Sequence, residues 1–164
     1  MSQIIQVESA AVANRRTQVL ESPHPAIRTD TVHVLFTSID ETLAAVRTAG
    51  DFAKALGVPV TVVHFRPVPY PLPVDAPCGV SPVETDAFIA RLRAEGADIR
   101  VRVYMCRDEQ QAIPFAFSRH SLIVIAGRRG WWPGRSEQRR RMLEAAGHFV
   151  MFVDTSEHME KTHA

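Results

Sequence analysis

The chain predicts an α/β fold, a doubly wound five-stranded parallel sheet with helices on both faces. Three observations carry the prediction. From residue 31 to residue 154, runs rich in β-branched residues alternate with stretches of helical periodicity. The runs "TVHVLF" (31–36), "VPVTVVHF" (58–65) and "SLIVIAG" (121–127) are almost continuously apolar, as strands covered on both faces must be. Between consecutive runs lies a helix-length segment, which makes βαβ units whose crossovers are right-handed.

Each element follows from its residues. After the first strand, "SIDETLAAVRTAGDFAKALG" places Leu43, Val46, Ala49, Phe52, Ala53 and Leu56 at helical spacing. Ser38 and Glu41 fit a capping box, and Gly57 supplies the stop. The second strand, 58–65, leads into "RPVPYPLPVDAPCGVSP" (66–82), whose prolines forbid helix or interior strand and mark a long loop. Ser81, Pro82 and Glu84 open a helix ending near Gly96. "ADIRVRVYM" then alternates Ile99, Val101, Val103 and Met105 with Arg100, Arg102 and Tyr104, which reads as an edge strand with one wet face. Asp108 and Gln111 open a third helix that Pro114 should kink or delay. After strand 121–127, Ser136 is the expected cap of a helix running through Leu143 and Ala146 to Gly147, and "HFVMFVD" is the last strand.

Residues 1–30 form an extension before the 31–154 domain, with either an amphipathic helix through Val12, Val19 and Leu20 or disorder, and 155–164 form a tail. At 164 residues and 46% apolar content, one domain with a sizeable core is expected. The formal net charge of +1 gives no global field toward nucleic acid or anionic lipid, so any basic site is local. Cys78 and Cys106 lack metal-like spacing and read as reduced thiols. With neither an apolar leader nor a span of ~20 apolar residues, a cytoplasmic location without membrane contact is expected.

Two junctions, "AKALGVPVTVVH" and "LIVIAGRRG…RMLEAAGHFVMFV", together with the proline-rich loop between them, resemble the universal stress protein family across residues 31–154. The resemblance implies the sheet order 3-2-1-4-5, a fold shared with the adenine nucleotide alpha hydrolases, and a homodimer through the final strand, Phe149, Val150, Met151, Phe152 and Val153. With that order, the topological switch point lies between the loops that follow Phe36 and Ala126. In ATP-binding members an aspartate ends the first strand, and G-x-x-G is followed after about nine residues by G-[ST], which cradles phosphate at a helix start. Here Gly127 and Gly130 remain, Ser136 and Glu137 stand in place of Gly-Ser, and Thr37 stands in place of the aspartate, with Asp40 a displaced substitute. Arg107 replaces the glycine after the third strand and should crowd the crevice. ATP in the usual mode is therefore not expected, and no cofactor is assigned.

The segment "VIAGRRGWWPGRSEQRRRML" concentrates Arg128, Arg129, Arg135, Arg139, Arg140 and Arg141 around Trp131 and Trp132. One reading is an anion or nucleotide site of Thr37, Ser38, Asp40, Arg107, Gly127, Arg128, Arg129, Gly130 and Ser136, because guanidinium forks match phosphate oxygens. Another is a partner surface of Trp131, Trp132, Arg135, Arg139 and Arg140. A third is a solvated helix face, its arginines paired with Glu137 and Glu144, with one indole folded over the core. Nucleic acid is the weaker option at this net charge. The histidines show no zinc spacing, with His33 and His64 read as structural, and G-x-S-x-G, Walker and receiver signatures are missing, so neither a metal site nor an enzyme is expected. The leading expectation is a regulatory or adaptor module working through the Arg/Trp loop or the N-terminal extension. The alternative is a small-molecule sensor that binds a nucleotide or other anion in the crevice, and a slow nucleotide hydrolase ranks third for want of a base.

Overall fold

The computed structural model describes residues 5–9, 29–74, 82–94, 99–129 and 134–156. Five parallel strands form the expected sheet: β2 (Val32–Leu35), β3 (Val60–Pro67), β4 (Ile99–Cys106), β5 (Leu122–Gly127) and β6 (Phe149–Asp154). Their order, β4-β3-β2-β5-β6, is the doubly wound 3-2-1-4-5 arrangement. A sixth strand that the sequence reading does not assign, β1 (Ile5–Ser9), lies antiparallel on the outer side of β4. The strand 99–106 is therefore an inner strand, and its alternation does not mark the sheet edge. The extension's expected helix at Val12, Val19 and Leu20 falls outside the described residues.

Alternation of side chains along each strand splits the core in two. Val32 and Val34 of β2, with Val60 and Val62 of β3, pack beneath Leu43, Val46, Ala49 and Ala53 of α1 (Ile39–Leu56) and Phe88 and Leu92 of α2 (Pro82–Ala94). Leu35, Val63, Phe65, Ile123 and Ile125 face the other way, against Ile113 and Ala116 of α3 (Glu109–Ala116) and Leu143 of α4 (Arg135–Ala145). Both faces are covered, which is why the strands read as continuous apolar runs. Tyr104, placed on the wet face of its strand by the alternation, instead fills this second layer beside Phe65 at 2% exposure.

Local signals set the helix boundaries. The capping box forms as expected, with Ser38 Oγ accepting from the Glu41 N–H and donating to its carboxylate at 3.0 Å. Gly57 closes α1 at φ 69°, a left-handed geometry that suits glycine. Phe52 and Leu56 lie off the buried face, 37% and 48% exposed, because that face follows Leu43, Val46, Ala49 and Ala53. Asp108 caps α3 by accepting from the Gln110 N–H, and Pro114 lies inside that short helix without ending it. β3 runs through Arg66 to Pro67, two residues into the segment expected to be loop. Ser81, Gly96 and Cys78 fall outside the described residues, whereas Cys106 is a free, buried thiol whose pKa burial raises to about 11.

Two buried histidines flank Phe117: His33 meets its ring edge-on at 5.0 Å between centroids, and His148 lies 5.5 Å away. Burial, assisted by the positive charge of Arg102, lowers the His33 pKa to about 4. The imidazole is neutral in the folded chain at neutral pH and serves as a core side chain.

Candidate functional site

At the carboxyl ends of β2 and β5 the loops leave the sheet in opposite directions, and a cavity of about 480 Å³ opens there. Its floor is the end of β2: Phe36 lies against the His64 imidazole with ring centroids 4.1 Å apart. Thr37 bridges the two strands, its hydroxyl donating to the Ala126 carbonyl at 3.2 Å. The family's aspartate position thus carries a neutral tie between β2 and β5 rather than a carboxylate acceptor. Ser38 is engaged as the α1 cap, and Asp40 points to α2, where it pairs with Arg91 at 3.2 Å in an exposed contact. Asp40 does not line the cavity and is no substitute for the missing aspartate.

The wall opposite is the start of α4. Gly134, not Ser136, is the N-cap, and it offers no side-chain acceptor to the first N–H groups of the helix. Ser136 sits one residue inside the helix and packs on Gly127, where a Cβ would meet Ser136 Cβ at 2.5 Å and its Oγ at 2.7 Å. Gly127 is therefore required by this contact. The open face that would receive a phosphate is filled by Ser136. Gly130, Trp131 and Trp132 fall outside the described residues.

Four arginines and two glutamates line the cavity. Arg139 grips Glu109 through two hydrogen bonds, its Nε donating at 2.7 Å, and also donates to the Phe36 carbonyl. Their side chains are 13% and 17% exposed, so this is a largely buried pair joining α4, α3 and the end of β2. Arg66, Arg128 and Arg135 make no ion pair among the described residues. Three guanidinium groups thus stand at the cavity wall without a carboxylate partner among the described residues. Burial lowers the pKa of His64 to about 4, helped by the charges of Arg66 and Arg139 and opposed by Glu109. It is a neutral imidazole on the cavity floor, a lining residue that the sequence reading left as structural. Its position, last but one before an arginine at the end of an interior strand, was the available signal.

The other arginines are engaged elsewhere. Arg107 turns away from the crevice: its guanidinium donates to the carbonyls of Val68, Pro69 and Leu72 and stacks 4.1 Å from the Tyr70 ring centre. It clasps the proline-rich loop, whose carbonyls lack competing neighbours, and does not crowd the cavity. Arg129 donates its N–H toward Asp154 and lies over the Phe152 ring. Arg140 and Arg141 pair with Glu137, and Arg140 also with Glu144, along the helix itself. These pairs hold the Glu137 carboxyl at a pKa of about 2. For Arg140 and Arg141 the solvated, paired helix face is what the structure shows.

Among the described residues there is no cluster of three or more metal-ligating side chains and no helix long and apolar enough to cross a membrane. β6 forms the open edge of the sheet, with Phe149 49% exposed and Val150 to Val153 half-buried.

No protein-family model matches the chain, nor does any curated protein sequence. Among solved structures, it is similar to a universal stress protein from Archaeoglobus fulgidus, with a TM-score of 0.58 and 23% identity over 77% of this chain and 94% of that one. It is also similar to the universal stress protein from Archaeoglobus fulgidus in complex with dAMP, with a TM-score of 0.52 and 22% identity over 79% of this chain and all of that one. The fold is that of the universal stress proteins.

Proposed function

We propose that the protein is a non-catalytic regulatory module that binds a small phosphorylated ligand, of mononucleotide class, in the crevice between β2 and β5. One observation carries the reading: Arg128 and Arg135 flank a cavity of about 480 Å³ and pair with no carboxylate among the described residues. A guanidinium group at a helix N-terminus without a side-chain cap, as Arg135 is, opposes the helix dipole, and a bound anion relieves that conflict while accepting from the first N–H groups of the helix. Arg66 adds a third positive group, and Phe36 with His64 offers a flat apolar floor. The complex of the Archaeoglobus fulgidus protein with dAMP supports the ligand class.

The binding mode departs from a glycine cradle. Ser136 fills the face of Gly127, and Thr37 offers a hydroxyl already engaged with Ala126. A ligand held by arginine side chains is recognised by its phosphate more than by a base-specific carboxylate. A role in binding rather than reaction is favoured by the hydroxyls at the site: Thr37 donates to a carbonyl and Ser38 to Glu41, so neither is activated by His64.

The crevice reading gains over the adaptor reading because Arg139 and Arg140, expected to meet a partner, are tied to Glu109, Glu137 and Glu144. Self-association through the β6 edge, pairing Phe149–Val153 of two copies, is part of the proposal and is read by light scattering: a dimer dispersed by Val150→Lys supports it, a monomer at high concentration refutes it. Calorimetry with AMP, dAMP, ATP and inorganic phosphate tests the crevice. Binding of the monophosphates, weakened at least tenfold in Arg128→Ala/Arg135→Ala, is expected, whereas heat-silent titrations of all four refute the site.

A further inference from the structure

We propose that the outer edge of β4 is a docking site for an extended acidic segment of a partner protein, occupied in cis by residues 5–9. Among the described strand pairs, only β1 with β4 is antiparallel, and β4 would otherwise present its unpaired N–H and C=O groups. Such an edge is a template for a further strand. The register sets Val7 opposite Val103 and Glu8 opposite Arg102. An acidic position of one strand facing a basic position of its neighbour favours the pairing. β4 offers a second basic position, the exposed Arg100, two residues before Arg102. The cis strand thus shows the pattern the edge accepts: apolar, polar, apolar, acidic.

The connection has more residues than the span it crosses requires. Because β1 is antiparallel to β4, Ser9 and Val32 lie at the same end of the sheet. Three strand spacings separate β1 from β2, ~14 Å, a distance that about five extended residues bridge. Residues 10–31 supply 22. A link of that length holds the strand at an effective concentration on the order of millimolar, so near-complete cis occupancy needs a trans affinity of about 0.1 mM or tighter. A partner segment of similar pattern, with its own added contacts, then competes successfully.

The test uses the full chain and a fluorescent peptide of residues 3–10, QIIQVESA. Val7→Pro removes a ladder donor from β1 and frees the edge. The Val7→Pro chain is expected to bind the peptide with a Kd of about 0.1 mM or tighter, the unsubstituted chain at least tenfold more weakly, and a peptide carrying Glu8→Lys at least threefold more weakly than its parent. Equal binding to the two chains, or none to either, overturns the proposal. Val7→Cys/Val103→Cys supplies an independent arm: its disulfide should abolish peptide binding and reductant should restore it. Failure of the pair to oxidise, or binding indifferent to reductant, counts against the cis strand. A concentration-dependent dimer that Val7→Pro removes assigns the edge to a second copy and overturns the partner reading.

Discussion

Arg135 and Arg140 stand little more than one helical turn apart on α4, yet their chemistry differs completely. Arg135 lines the cavity without a carboxylate partner among the described residues, whereas Arg140 is gripped by Glu137 and Glu144. Arg139, between them in sequence, faces inward and is buried against Glu109. A run of arginines is thus three populations: unpaired at a cavity, buried in a structural bridge, and neutralised on a solvated face. The difference teaches that an anion site is found by subtracting carboxylates, not by counting guanidinium groups.

The buried bridge should respond most. Arg139→Met leaves Glu109 unpaired beside the cavity and is expected to cost about 3 kcal/mol in urea unfolding, while Arg128→Ala and Arg135→Ala each stay within about 0.5 kcal/mol. Equal effects at all three positions would erase the distinction between bridge and binding arginines.

Acid comes next. Folded His64 takes up its proton only near pH 4, and the unfolded chain does so near 6.5, so its contribution is whole above pH 6.5 and lost as pH falls toward 4. Between pH 7 and pH 5 this amounts to about 2 kcal/mol, and His33, with the same direction and cause, adds a similar loss. Stability curves of His64→Gln should be flatter than those of the parent over that range by the His64 share. Superimposable pH slopes would mean that burial, with the charges of Arg66 and Arg139 beside it, does not hold His64 neutral.

On the outer face of the helix, Arg140→Ala removes two partly exposed intrahelical pairs and is expected to change stability by no more than about 0.5 kcal/mol, with ligand affinity unchanged. A tenfold loss of affinity there would move the site off the cavity.

The sheet was legible in the sequence because interior parallel strands have no polar face to hide, so 32–35, 60–65 and 122–127 declared themselves as apolar runs, while Arg66 and Pro67 at the end of β3 did not. β1 was not legible: a five-residue strand is too short for periodicity to separate from its polar surroundings, and its partner strand is remote in sequence. The alternation of β4 was real, but it reflected Arg100 and Arg102, not a free edge. At the site, the glycine pattern pointed to the right loop for the wrong reason, since Gly127 receives Ser136 rather than phosphate. Arg107 was misread because its partners are backbone carbonyls of a loop, which leave no mark in residue types. Glu109 as the partner of Arg139 is likewise a contact between separate helices, beyond the reach of any local pattern.

The central claim is that Arg128 and Arg135 hold a phosphorylated ligand in the crevice. Titration calorimetry of dAMP into the parent chain and into Arg128→Ala/Arg135→Ala, at matched ionic strength, measures it directly. Saturable binding by the parent that weakens at least tenfold in the double variant, about 1.4 kcal/mol or more, is the predicted result. Equal affinity in the two proteins, with both shown folded by urea unfolding, would contradict it.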